Sequence, residues 1–99
     1  MQYRHGEVMI EQVKKLPDDK RKAKHAILAH GEITGHSHRI KETKNVTLYQ
    51  TPTDLYLAVT ADEATVVHEE HHPITLKRGF YRVWRQREYS PEEIRIIRD

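Results

Sequence analysis

Apolar residues fall in short runs with a period of two, separated by polar turn signals. This is the pattern of strands and not of helices. Val8, Met9, Ile10 and Val13 mark a first strand over residues 7–13. Residues 14–24 are polar and are broken by Pro17 and the Asp18-Asp19 pair, which predicts a solvated loop. Residues 24–30 read as a strand or a helical turn, because Ala26 and Ala29 weaken the strand preference. Gly31 and Gly35 punctuate the next stretch, and residues 36–42 read as a strand. Residues 46–50 and 54–60 form a hairpin around Thr51-Pro52-Thr53, with Leu55, Leu57 and Val59 on one face. Residues 64–70 are rich in β-branched residues and read as a strand. Pairing is interrupted at His72-Pro73, since proline has no N–H to give a ladder. Residues 74–76 lead into a turn at Lys77-Arg78-Gly79, and residues 80–89 form the longest strand. Ser90-Pro91-Glu92-Glu93 has the form of a helix start, with a capping serine, proline at the first position and a glutamate three residues after the cap. A strand across residues 94–97 is the alternative. The expectation is an all-β fold: a small single-domain barrel or sandwich with a short C-terminal helix.

Composition narrows the classes. The 99 residues suit one domain with a modest core, and the hydrophobic share of 36% is low, so metal or self-association is an expected aid to stability. There is no cysteine, which excludes disulfides, thiolate zinc, iron–sulfur clusters and a cysteine nucleophile. No apolar run reaches the ~20 residues of a membrane span and no signal peptide opens the chain, so a cytoplasmic setting without membrane contact is expected. The net charge of +2 implies no general polyanion field. Charge is patterned, however. The acids Asp62, Glu63, Glu69 and Glu70 precede the bases Lys77, Arg78, Arg82, Arg85 and Arg87, and the two blocks offset each other if they pair as strands.

The chain holds eight histidines, and five lie in two clusters. In Gly31-Glu-Ile-Thr-Gly-His-Ser-His38, a strand puts His36 and His38 on one face, roughly 7 Å apart. Two neutral imidazoles so placed can share a divalent metal. With Glu42 they spell His36-x-His38-x-x-x-Glu42, which resembles the histidine–glutamate part of the first cupin motif. That resemblance implies a small β-barrel holding Fe, Mn, Ni or Zn. The second cluster, His68-Glu69-Glu70-His71-His72, spells the H-E-x-x-H string of zinc proteases. That string works on a helix, whereas this one is flanked by β-branched residues and Pro73. In extended geometry His68, Glu70 and His72 share one face, while Glu69 and His71 take the other. The solvated alternative pairs Glu69 and Glu70 with arginines of the next strand. If the clusters converge, His36 and His38 with His68 or His72 make a three-histidine site for a divalent transition metal (Zn, Ni, Mn or Fe), with Glu42 or Glu70 as a fourth ligand. His5, His25 and His30 follow no pattern and read as structural or surface residues.

Phe80-Tyr-Arg-Val-Trp-Arg-Gln-Arg-Glu-Tyr89 interleaves arginine with aromatics. Arg82, Trp84, Arg85, Arg87 and Tyr89 are the candidate contacts to a protein partner, a second copy or a single-stranded nucleic acid. Serine-nucleophile patterns, phosphate-cradling glycine loops and dinucleotide fingerprints are absent, which weighs against an enzyme. Four blocks are similar to a group of small uncharacterised bacterial β proteins: Tyr3-Arg4-x-Gly6-Glu7-Val8, residues 31–38, His68-Glu-Glu-His-x-Pro-Ile-x-Leu76, and residues 79–93 with Arg-Gln-Arg-Glu-Tyr-Ser-Pro-Glu-Glu93. That resemblance implies no activity. The reading adopted from sequence is a non-enzymatic, homo-oligomeric or partner-binding β module using the arginine–aromatic strand. A cupin-like metal protein is the alternative, and a nucleic-acid-binding small barrel the second.

Overall fold

The computed structural model describes residues 2–30, 35–85, 87–89 and 94–96. The described chain is all-β, its main sheet curled into a half-barrel. In chain order the strands are β1 (Gln2–His5), β2 (Val8–Val13), β3 (Arg21–Lys22), β4 (Ile27–His30), β5 (Ser37–Ile40), β6 (Val46–Gln50), β7 (Leu55–Val67), β8 (Ile74–Arg85), β9 (Arg87–Tyr89) and β10 (Ile94–Ile96). The main path runs β1-β2-β8-β7-β5-β4, with β6 beside β7 and β3 beside β6. β9 and β10 form a separate antiparallel pair.

Alternation along the strands builds the core. Val8 and Ile10 of β2, Leu57 and Val59 of β7, and Tyr81 and Val83 of β8 point inward and are at most 2% exposed. Leu28, Ile40, Leu48, Ala64, Val66 and Leu76 complete the cluster. Tyr81 is the largest fully buried side chain, and its hydroxyl donates to the Lys77 carbonyl at 2.6 Å. Burial raises its pKa above the ordinary tyrosine value.

The long β7–β8 hairpin sets the shape. Val59 faces Gly79 and Glu63 faces Lys77, so three residues of β7 lie between these pairs where β8 has one. The excess is a bulge that bends the hairpin and strengthens its twist. Gly79 sits at the bend with φ +149°, and a Cβ there would lie 3.1 Å from the Gln12 amide nitrogen. Glycine serves this position for backbone freedom and for close approach. Beyond the bend, β7 leaves β6 and pairs with β5, Arg39 facing Val67 and Ile40 facing Val66. The sheet thereby curls until β1, at one end of its order, meets β5 near the other.

The strand pattern differs from the sequence expectation at several points. The separate strands expected over 54–60 and 64–70 are one strand, because the bulge absorbs the polar residues between them. Lys77-Arg78-Gly79 is the bend within β8 and not a turn. β1 was not expected, and β3 adds two residues of strand to the expected loop. His68 to Pro73 connect β7 to β8 as a loop, so the two-face alternation expected there does not hold. Ile94–Ile96 is a strand facing Arg87–Tyr89, the alternative to the expected short helix. Ser90, Pro91, Glu92 and Glu93, the expected helix start, lie outside the described residues. The acidic and basic blocks face each other only in part: Glu63 lies opposite Lys77 and Arg78 holds Asp62 at 3.0 Å, while Arg82 and Arg85 pair with Asp54 and Glu7.

Candidate metal centre

The meeting of β1 and β5 is made by imidazoles. His5 ends β1 where Gly6, at φ +62°, turns the chain into β2. His38 lies on β5 and is fully buried. Their Nδ1 atoms are 2.8 Å apart, and His5 Nε2 lies 3.0 Å from the His72 carbonyl oxygen. A carbonyl only accepts, so His5 Nε2 carries a proton and donates. Burial lowers the His5 pKa from 6.5, against an opposing contribution from the His72 carbonyl, with the nearby His71 and His68 rings lowering it further. The ring is therefore neutral near pH 7, and its bare Nδ1 accepts from His38 Nδ1–H. The other ring nitrogen of His38, Nε2, is also buried. This chain of carbonyl, His5 and His38 has the form of the outer hydrogen bonds that orient metal-ligating histidines.

His68 and His71 complete the cluster from the β7–β8 loop. The His38 and His68 ring centroids are 4.4 Å apart, those of His68 and His71 4.7 Å, and those of His38 and His71 5.6 Å. One ring nitrogen each from His38, His68 and His71 lies within 4.8 Å of the others, close enough for three ligands to contract onto one ion. His71 Nε2 is buried with no hydrogen-bond partner. His68 Nδ1 accepts the Glu70 backbone N–H at 2.9 Å, a local bond that folds the loop back on itself. A neutral His68 in that state carries its proton on Nε2, so ligation requires the bond to Glu70 to be exchanged.

A second triad abuts the first. His36, His68 and Glu69 also bring ligand atoms within 4.8 Å of one another, and the His36 and His68 rings are 5.6 Å apart. Glu69 accepts the Ser37 N–H at 2.9 Å and pairs with Arg39 at 2.8 Å. These contacts, the Ser37 bond foremost, hold its carboxyl below the usual range. Glu69 thus pairs with a base on β5 and not with the following strand.

Of the residues singled out from sequence, the structure brings His36, His38 and His68 together. Glu42 is turned onto Thr65, accepting its N–H and its hydroxyl, each at 2.8 Å. Both bonds hold its pKa below 4.5. The His72 ring is exposed, and that residue serves the cluster through its backbone. His71 and His5 are the additions that sequence reasoning missed. Treating residues 68–72 as a strand turned His71 away. Pro73 was the available sign of a loop. For His5 the sign was Gly6, a turn glycine that makes residues 2–5 a strand folded back on residues 8–13.

On the arginine–aromatic strand, Arg82 lies 4.3 Å over the Trp84 ring and 3.4 Å from Asp54. Arg85 pairs with Glu7, which is fully buried. Trp84 and Arg85 border a cleft of about 610 Å³ whose other walls include Leu28, Leu55 and Asp54. Arg87 and Tyr89 are on β9, and their side chains lie outside the described residues.

No helix is long and apolar enough to cross a membrane among the described residues. No curated protein and no solved structure matches the chain. One family model does, over residues 4–86, a span that takes in β2 to β8 and His5, His36, His38, His68 and His71: the chain belongs to the family described as Domain of unknown function (DUF8820).

Proposed function

We propose that this protein is a metal-binding β module that holds one divalent transition metal through His38, His68 and His71. One observation carries the reading: three imidazoles from two separate elements present nitrogens within 4.8 Å of one another at the closing seam of the sheet. Borderline-soft imidazole nitrogens suit Zn²⁺, Ni²⁺, Cu²⁺ and Fe²⁺ better than Mg²⁺ or Ca²⁺. Three protein ligands leave a fourth position for water or a small ligand. The cupin-like string contributes His38 and His36, while Glu42 is committed to Thr65. The assembly and nucleic-acid readings draw less support, because Arg82 and Arg85 are engaged within the chain by Asp54, Trp84 and Glu7.

Zinc titration followed by thermal melting tests the proposal. Saturation at one Zn²⁺ per chain is expected. Binding at a free concentration about a hundred times Kd adds about 2.7 kcal/mol, or about 11–22 °C in Tm for a domain of this size. An unchanged melting curve at millimolar Zn²⁺ would sink the proposal.

A further inference from the structure

His68 is common to both triads, and the two differ in ways that suit different stages of binding. The inner triad is all imidazole, with His38 and His68 buried. The outer one includes Glu69, whose carboxylate is about a third exposed, and the half-buried His36. A carboxylate at the rim attracts a hydrated cation. Arg39 offsets part of that attraction at 2.8 Å, so the outer position is weak. His68 Nδ1 accepts the Glu70 N–H, a local bond that any ligation through that nitrogen must displace.

We propose that His68 is a transfer ligand. A divalent metal first meets His36, Glu69 and His68 at the rim, then passes inward as His68 carries it to His38 and His71. Building on the metal-binding reading above, this assigns an entry route. Each transfer exchanges one neutral nitrogen or carboxylate donor for another on the same ion. No electron moves, and any proton displaced from a ring nitrogen leaves to water. The ordering follows from chemistry: charge and exposure favour capture outside, while imidazole donors and exclusion of water favour retention inside.

Stopped-flow mixing with Co²⁺, read by its ligand-field absorbance, combined with equilibrium competition against a chromophoric chelator for Zn²⁺, separates the two positions. His36→Gln and Glu69→Gln are conservative changes at partly exposed positions. Each is expected to slow Co²⁺ association about tenfold, by loss of local attraction and capture. Equilibrium Zn²⁺ affinity should change by less than the ~10–100-fold cost of losing a residue that supports a metal ligand. His71→Gln, at a ring nitrogen without a hydrogen bond, is expected to lose tight binding and keep fast, weak Co²⁺ capture. His68→Gln is expected to lose both. Unchanged association rates in His36→Gln and Glu69→Gln overturn the transfer route while leaving the metal site standing. Affinity losses in these two as large as in His71→Gln also overturn it, by making all the residues ligands of one site. Absence of Zn²⁺ and Co²⁺ binding by the wild-type chain overturns both proposals.

Discussion

The two sides of the curled sheet are held by different chemistry. Around the β7–β8 hairpin, strands pair through backbone ladders over an apolar layer of Leu57, Val59, Tyr81 and Val83. At the seam between β1 and β5 the residues in contact are histidines, joined by a few directional bonds. An apolar layer responds to volume and area. A polar seam depends on the geometry of a few hydrogen bonds, and each of its members must be satisfied. The first joins strands by buried area and ladders, and the second joins the two ends of the curl through side chains.

Substitutions should separate the two. The largest effect belongs to the apolar side: Leu57→Ala is expected to cost about 2–5 kcal/mol in urea unfolding, and this loss should be the same with and without Zn²⁺. A Zn²⁺-dependent loss would show that core and seam are one cooperative unit. Next comes His71→Gln, which should abolish the Zn²⁺-induced rise in Tm, about 2.7 kcal/mol at hundredfold excess over Kd, while the metal-free melting point stays close to wild type. Tyr81→Phe removes the hydroxyl bond to the Lys77 carbonyl and should cost about 1 kcal/mol by chemical denaturation, with Zn²⁺ binding by titration unaltered.

A smaller, pH-dependent effect is expected from Glu42. Its bonds to Thr65 depress its folded pKa, so the ionised carboxylate contributes stability above the ordinary value of 4.5. That contribution fades as pH falls through the depressed value. The melting difference between wild type and Glu42→Gln should therefore be widest near pH 6 and close toward pH 3. A difference that grows on acidification would contradict the Thr65 contacts as its source. Arg78→Ala should do least. Arg78 and Asp62 are both mostly exposed, and no change in Tm outside error is expected.

Strand positions were largely legible, because period-two alternation is a local signal. Residues 8–13, 46–50 and 80–85 show it plainly, and the resulting all-β curl was expected. The hairpin bend was misread since Lys77-Arg78-Gly79 has the composition of a turn. Only the pairing of Val59 with Gly79 shows the glycine to be inside a strand. His36, His38 and His68 could be named from sequence because each lies in a short run dense in histidine. Which of them converge depends on how far the sheet curls, and curl is a property of strand register rather than of composition. His5 lies 33 positions before His38, and no local pattern links them. Glu42 was misplaced for a similar reason. Four residues after His38, it reads as a ligand by spacing, yet a neighbouring strand offers it two donors from Thr65.

The distance in sequence across the seam has a consequence for the order of folding. Val66 and Ile74 pair across one short loop, so the β7–β8 hairpin forms early at small entropic cost. The contact of His5 with the His72 carbonyl closes a loop of 67 residues and is expected to form late. Interactions absent from the folding transition state act on the unfolding rate. Bound Zn²⁺ should therefore slow unfolding and leave refolding unchanged. In a chevron plot, the two conditions would share a refolding limb and part on the unfolding limb. A refolding limb accelerated by Zn²⁺ would instead place the seam in the folding nucleus.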